Sequence, residues 1–114
     1  MPFINSKISI GITEAQETEI KTRLGEAVTL IPGKSEGWLM VGFEPKYKLY
    51  FRGDNSQPTA FVEVSVFGGE DKAAFSNLTG AICDIFQDVL GIAKDHVYVK
   101  YEATTNWGWN GSNF

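Results

Sequence analysis

From Phe3 to Ile10 the chain alternates, with Phe3, Asn5, Lys7 and Ser9 on one side and Ile4, Ser6, Ile8 and Ile10 on the other, before Gly11 breaks the pattern. A period of two predicts a strand with one face buried. Thr13-Glu14-Ala15-Gln16 then has the form of a capping box, in which the threonine and glutamine side chains satisfy two free backbone N–H groups at a helix start. Ile20, Leu24, Ala27, Val28 and Ile31 recur at helical spacing among charged residues until Pro32-Gly33, so an amphipathic helix follows the strand. Trp38 to Phe43 reads as a second strand. Tyr47 to Phe51 reads as a short extra strand ending at the turn Arg52-Gly53-Asp54-Asn55.

The second half repeats the order. Pro58 to Gly68, with its alternating Ala60, Val62, Val64 and Val66, mirrors Pro2 to Gly11. Asp71 to Leu90 follows as a helix whose stripe is Phe75, Leu78, Ile82, Ile85, Phe86 and Val89, with Gly91 placed to end it, and Val97 to Glu102 reads as the closing strand. The expected architecture is α/β (α+β): duplicated β-α-β units side by side, forming a four-stranded sheet with both helices on one face. The other face would lack cover while carrying Ile, Val and Phe. Burial of that face is therefore expected from outside the monomer.

Composition narrows the function. The 114 residues, 43% hydrophobic, suffice for one domain spanning 1–114 and are too few for two. A net charge of −4 with scattered Lys and Arg lacks the basic patch of a nucleic-acid binder. No apolar run approaches the ~20 residues of a membrane span, and no signal peptide is legible, so a soluble cytoplasmic protein is expected, with any release following a leaderless route. Cys83 sits among Ala81, Ile82 and Ile85 as a small core residue, and with His96 the only histidine, no metal site or Cys/His nucleophile pair can be assembled.

Pro2 is the candidate with unusual chemistry. Once Met1 is removed it becomes a secondary amine at a strand start, and an α-amino group near pKa ~8 needs only a modest shift to act as a base near neutral pH. The plain alternative is a proline that merely begins a strand, where a missing N–H costs little.

Pro2, the duplicated plan, Gly33-Lys34, the segment Asp95-His96-Val97-Tyr98-Val99-Lys100-Tyr101 and the tail Trp107-Gly108-Trp109-Asn110-Gly111-Ser112-Asn113-Phe114 together resemble the tautomerase superfamily. Within it, the chain is similar to the macrophage migration inhibitory factor family and its D-dopachrome tautomerase branch. The resemblance implies a homotrimeric ring with a proline site at each subunit interface. It also implies cofactor-free keto–enol tautomerisation of small aryl α-keto acids such as phenylpyruvate, an isomerase reaction. By the same resemblance Pro2 is the base, Lys34 holds the substrate carboxylate, and Tyr98 reaches a neighbouring subunit's site as a hydrogen-bond donor. Phe67 offers its backbone N–H, and Trp38, Trp107, Trp109 and Phe114 line the pocket.

Lys100 stands where the family commonly has asparagine, and on one strand face with Tyr98 it should reach the same site. Read without the family, Lys34 and Lys100 are equally surface lysines, Tyr98 a core aromatic and Trp109 a packing anchor. Thr59 and Val62 replace the Cys-x-x-Cys pair of the animal cytokine, which excludes thiol–disulfide chemistry there. Arginine-clamped hydration or dehalogenation is disfavoured because Arg23 and Arg52 fall on a helix and a turn. The competing reading is a non-catalytic, cytokine-like interaction protein with a vestigial pocket and, if exported, a host receptor as partner.

Overall fold

A computed structural model describes residues Met1–Phe114. Its elements are β1 (Pro2–Ile8), α1 (Glu14–Ala27), β2 (Met40–Glu44), β3 (Ala60–Phe67), α2 (Lys72–Leu90), β4 (Val97–Thr104) and a tail hairpin of β5 (Gly108–Trp109) and β6 (Ser112–Asn113). The sheet order is β2-β1-β3-β4, with β1 antiparallel to β3 at the centre and each parallel to its own outer strand. The two repeats thus meet strand against strand, Pro2 opposite Val66 and Ile8 opposite Ala60.

Alternation does what the sequence predicts. Along β1 and β3 every second residue is buried, and Ile4, Ile8, Val62, Val64 and Val66 pack in one cluster with Ile20, Leu24, Leu78, Ile82 and Phe86 of the helices. Burying a side chain of this size contributes roughly 1.5–3 kcal/mol, so the stripe and the strand face hold the layers together. Thr13 caps α1 through the full box with Gln16, and Asp71 caps α2 by accepting from the Ala74 N–H. Gly91, at φ 68°, closes α2 in the left-handed conformation glycine adopts without strain. Cys83 is buried. Tyr101 pins the outer strand β4 to α2: its ring stacks on Phe75 at 4.5 Å and its hydroxyl donates to the Phe75 carbonyl at 2.8 Å, beside Thr79. No helix is long and apolar enough to cross a membrane.

Three expectations are corrected. Tyr47 to Phe51 is irregular and forms no strand within the chain; its only regular feature is a bridge between Phe51 and Asp54. Trp38 lies in a single 3-10 turn, Glu36–Trp38, and β2 starts at Met40. The uncovered face does not carry Ile and Val: those of β1 and β3, at even-numbered positions, turn to the helices, and Val41, Val97 and Val99 of the outer strands pack against the same core. It shows Phe3, Phe61 and Phe67 together with charged residues instead: Lys7 pairs with Glu63 at 3.1 Å and Lys100 with Glu102 at 2.9 Å. A face bearing ion pairs tolerates water, so any assembly need not bury it.

One core position is at odds with its surroundings. Ser6, fully buried on the helix side of β1, has a hydroxyl with no hydrogen-bond partner. An unpaired buried hydroxyl costs about 1–3 kcal/mol. Ser6→Ala is therefore expected to raise the urea unfolding midpoint or leave it unchanged; a clear drop would mean that the hydroxyl is bonded.

Candidate active site

Pro2 heads β1, buried, one residue inside the terminus. Around it the termini of several elements converge. The tight turn Ile31 to Lys34, with Gly33 at φ 80° and the Lys34 N–H donating to the Ile31 carbonyl at 3.1 Å, brings Lys34 to the end of β3. There its ammonium donates to the Phe67 carbonyl at 2.6 Å. The Phe67 N–H in turn donates to the Met1 carbonyl at 3.1 Å. Burial first, and then the Lys34 cation, hold the Met1 amine below the usual range of an α-amino group. The Met1 amine is thereby biased toward its neutral form.

The tail closes over this corner. Asn110 at φ 52° and Gly111 at φ 89° make the tight hairpin turn between β5 and β6, the Asn-Gly pairing that favours such turns. The Phe114 N–H then donates to the Trp107 carbonyl at 3.0 Å, folding the last residue back. Trp109 meets Trp38 edge-to-face at 5.2 Å, and Phe114 packs on Phe67 at the same separation. The result is an open cleft of about 550 Å3 lined by Met1, Pro2, Trp38, Met40, Trp107 and Trp109. Phe3, Leu39 and Met40 were missed as lining residues because the parallel register of β2 on β1, which sets Met40 opposite Phe3, is not written in either strand alone.

Pro2, Lys34, Phe67, Trp38, Trp107, Trp109 and Phe114 thus gather at one corner, and Tyr98 and Lys100 do not. Tyr98 is opposite Phe61 on β3 and Pro2 is opposite Val66, five positions apart, which at about 3.4 Å per residue is roughly 17 Å along the strand. Both Tyr98 and Lys100 point to the open face, where Glu102 raises the Lys100 pKa through its hydrogen bond and charge. Glu102 was not foreseen as this partner, although its place two residues beyond Lys100 sets both on one face. No group of His, Cys, Asp and Glu is arranged to hold a metal.

A duplicated β-α-β domain whose first strand opens on a buried proline beside a lysine defines the tautomerase superfamily class of protein. The comparisons bear this out: residues 1–114 match the model of the macrophage migration inhibitory factor (MIF) family, and the chain belongs to that family. The mouse macrophage migration inhibitory factor is 30% identical over 117 residues, covering 100% of this chain and 97% of the relative. Among solved structures, MIF2 of Leishmania major has a TM-score of 0.92 at 28% identity, covering 100% of this chain and 97% of the other. The homologue from Prochlorococcus marinus has a TM-score of 0.80 at 29% identity, with 98% of each chain covered.

Proposed function

We propose that the chain is a keto–enol tautomerase of small aryl α-keto acids of the phenylpyruvate type, acting through the Pro2 amine once Met1 is removed. The observation that carries this reading is geometric: buried Pro2 heads β1 in an aromatic cleft, at the corner where Lys34 reaches the end of β3. Removal of Met1 moves the free amine onto Pro2, deeper in the same surroundings. Its lone pair, held by the strand rather than by a flexible side chain, takes the proton from the carbon next to the ketone. The electron pair moves to the carbonyl oxygen, the proton held on the Pro2 amine is passed to that oxygen to give the enol and free the amine, and the reverse path regenerates the ketone. Lys34, leaving the Phe67 carbonyl, pairs with the substrate carboxylate, and the aromatic rings receive the aryl group.

In this reading the developing oxyanion is met by Tyr98 of a second copy, since the chain's own Tyr98 lies far along the sheet. Lys100 would arrive with it. We therefore propose a homotrimer, with the exposed Tyr98 edge of each copy seated at the Pro2 corner of the next. Sedimentation should give three times the chain mass at micromolar concentration; a stable, active monomer would remove the basis for a shared site. The direct test is turnover of phenylpyruvate by protein whose Met1 removal has been checked by intact mass. No activity in fully processed trimer would favour the non-catalytic, receptor-binding reading.

A further inference from the structure

Phe51 lies outside the cleft, yet it touches the hydroxyl-bearing ring that the proposed chemistry takes from a neighbouring copy. Tyr98 is 60% exposed, near the start of β4, and shares a shallow depression with Phe51, Phe61 and His96. The Phe51 ring meets it edge-on, centroids 5.4 Å apart at 79°, the geometry aromatic pairs prefer. The same ring packs on His96 at 5.3 Å, and the Arg52 guanidinium lies 4.9 Å from its centroid. His96 is itself tied through Nδ1 to Asp95 at 2.8 Å.

The backbone beneath Phe51 is equally fixed. Phe51 and Asp54 exchange two hydrogen bonds, at 2.8 and 3.0 Å, across Arg52 at φ 53° and Gly53 at φ 75°. The Asp54 carboxylate accepts from the Ser56 N–H and hydroxyl, which holds its pKa down and braces the turn from the other side. A rigid turn therefore presents one ring as a wall against Tyr98.

We infer that Phe51 is a positioning residue: its ring selects the Tyr98 rotamer that carries the phenol hydroxyl away from the sheet toward a second copy. The inference rests on the role proposed for Tyr98. A tyrosine released among its staggered wells moves its hydroxyl by several times the ~1 Å misplacement that is already costly to catalysis. Loss of the edge contact should cost about two- to tenfold in kcat, with KM nearly unchanged because Lys34 and the cleft still bind substrate.

The experiment uses Met1-processed protein with phenylpyruvate and compares wild type, Phe51→Leu, Tyr98→Phe and the double variant, with assembly checked by sedimentation and Phe51→Tyr as the ring-preserving control. If Phe51 acts through Tyr98, Phe51→Leu lowers kcat in the wild-type background, has little effect once Tyr98 is Phe, and Phe51→Tyr restores the rate. Equal losses in both backgrounds would overturn the inference in favour of a general structural effect. A second readout is independent of catalysis: with 3-fluorotyrosine incorporated, the 19F resonance that Tyr98→Phe removes should shift or broaden in Phe51→Leu. An unmoved resonance overturns the positioning. A moved resonance with a fully active Tyr98→Phe keeps the positioning and overturns the catalytic role of Tyr98 instead. Should Phe51→Leu fail to assemble, Gly53→Ala, which strains the turn while keeping the ring, is read in the same way.

Discussion

Protein that keeps Met1 is expected to turn over phenylpyruvate about a hundred- to ten-thousandfold more slowly than processed protein, the range a positioned general base contributes. Three effects act together. With Met1 attached, the Pro2 nitrogen is an amide whose lone pair is delocalised into the carbonyl and cannot take a proton. The Met1 carbonyl also occupies the Phe67 N–H at 3.1 Å, the donor assigned to the substrate. Met1 itself lines the cleft where the keto acid would sit. The measurement is kcat/KM on the two forms, separated and identified by intact mass. Equal rates would show that Pro2 is not the base, whatever the rest of the site does.

This prediction separates chemistry from binding more cleanly than a substitution at position 2. Pro2→Ala would leave a primary amine in place and also alter the strand start opposite Val66. Retention of Met1 changes no side chain of β1. If the core carries the fold as described, both forms should unfold at similar urea concentrations, so a difference in rate can be assigned to the terminal nitrogen and the donor beside it.

The parts of the fold legible in the sequence are those whose burial is settled within one element. Strands β1 and β3 and helix α2 show this: Ile4, Ile8, Val62 and Val64 alternate, and Phe75, Leu78, Ile82 and Phe86 fall on one helical face, so local period and tertiary burial agree. Tyr47 to Phe51 has strand-forming residues but no partner within the chain, and a strand exists only through pairing. The open face was misjudged for a simpler reason. Counting from Ile4 sends every Ile and Val of β1 and β3 inward, leaving Lys7, Glu63 and Lys100 outside.

The site was legible in its residue types and less so in its connections. Pro2 and Lys34 are joined only through the Gly33 turn and the end of β3, and the hydrogen bond from Lys34 to the Phe67 carbonyl has no signature in either segment. Phe51 left a faint signal. An aromatic residue immediately before an Arg-Gly turn is a ring held on a fixed base, but its contact with Tyr98 depends on where β4 lies beside β3.

Replacing Lys34 by glutamine should lower kcat/KM about ten- to a hundredfold near neutral pH, the loss expected for a hydrogen bond to a charged group. The loss should also depend on pH. Lys34 is one of the causes that hold the Met1 amine low, and a cation beside the Pro2 amine that replaces it acts in the same direction, so removing that charge should let the amine pKa rise. A base with a higher pKa is protonated over more of the acid range, and the acid limb of the kcat/KM profile therefore moves to higher pH. The deficit should be greatest below neutrality and shrink at alkaline pH toward the part due to the lost carboxylate contact alone. Glutamine can still donate to the Phe67 carbonyl, so the turn at Gly33 need not move. Lys100→Asn is the contrast: Glu102 already pairs with Lys100 at 2.9 Å, so little net positive charge is removed from its neighbourhood, and the limb should move much less. A profile for Lys34→Gln that is lowered evenly at every pH would limit Lys34 to carboxylate binding. A larger displacement for Lys100→Asn than for Lys34→Gln would make Lys100, supplied by the neighbouring copy, the cation that sets the base.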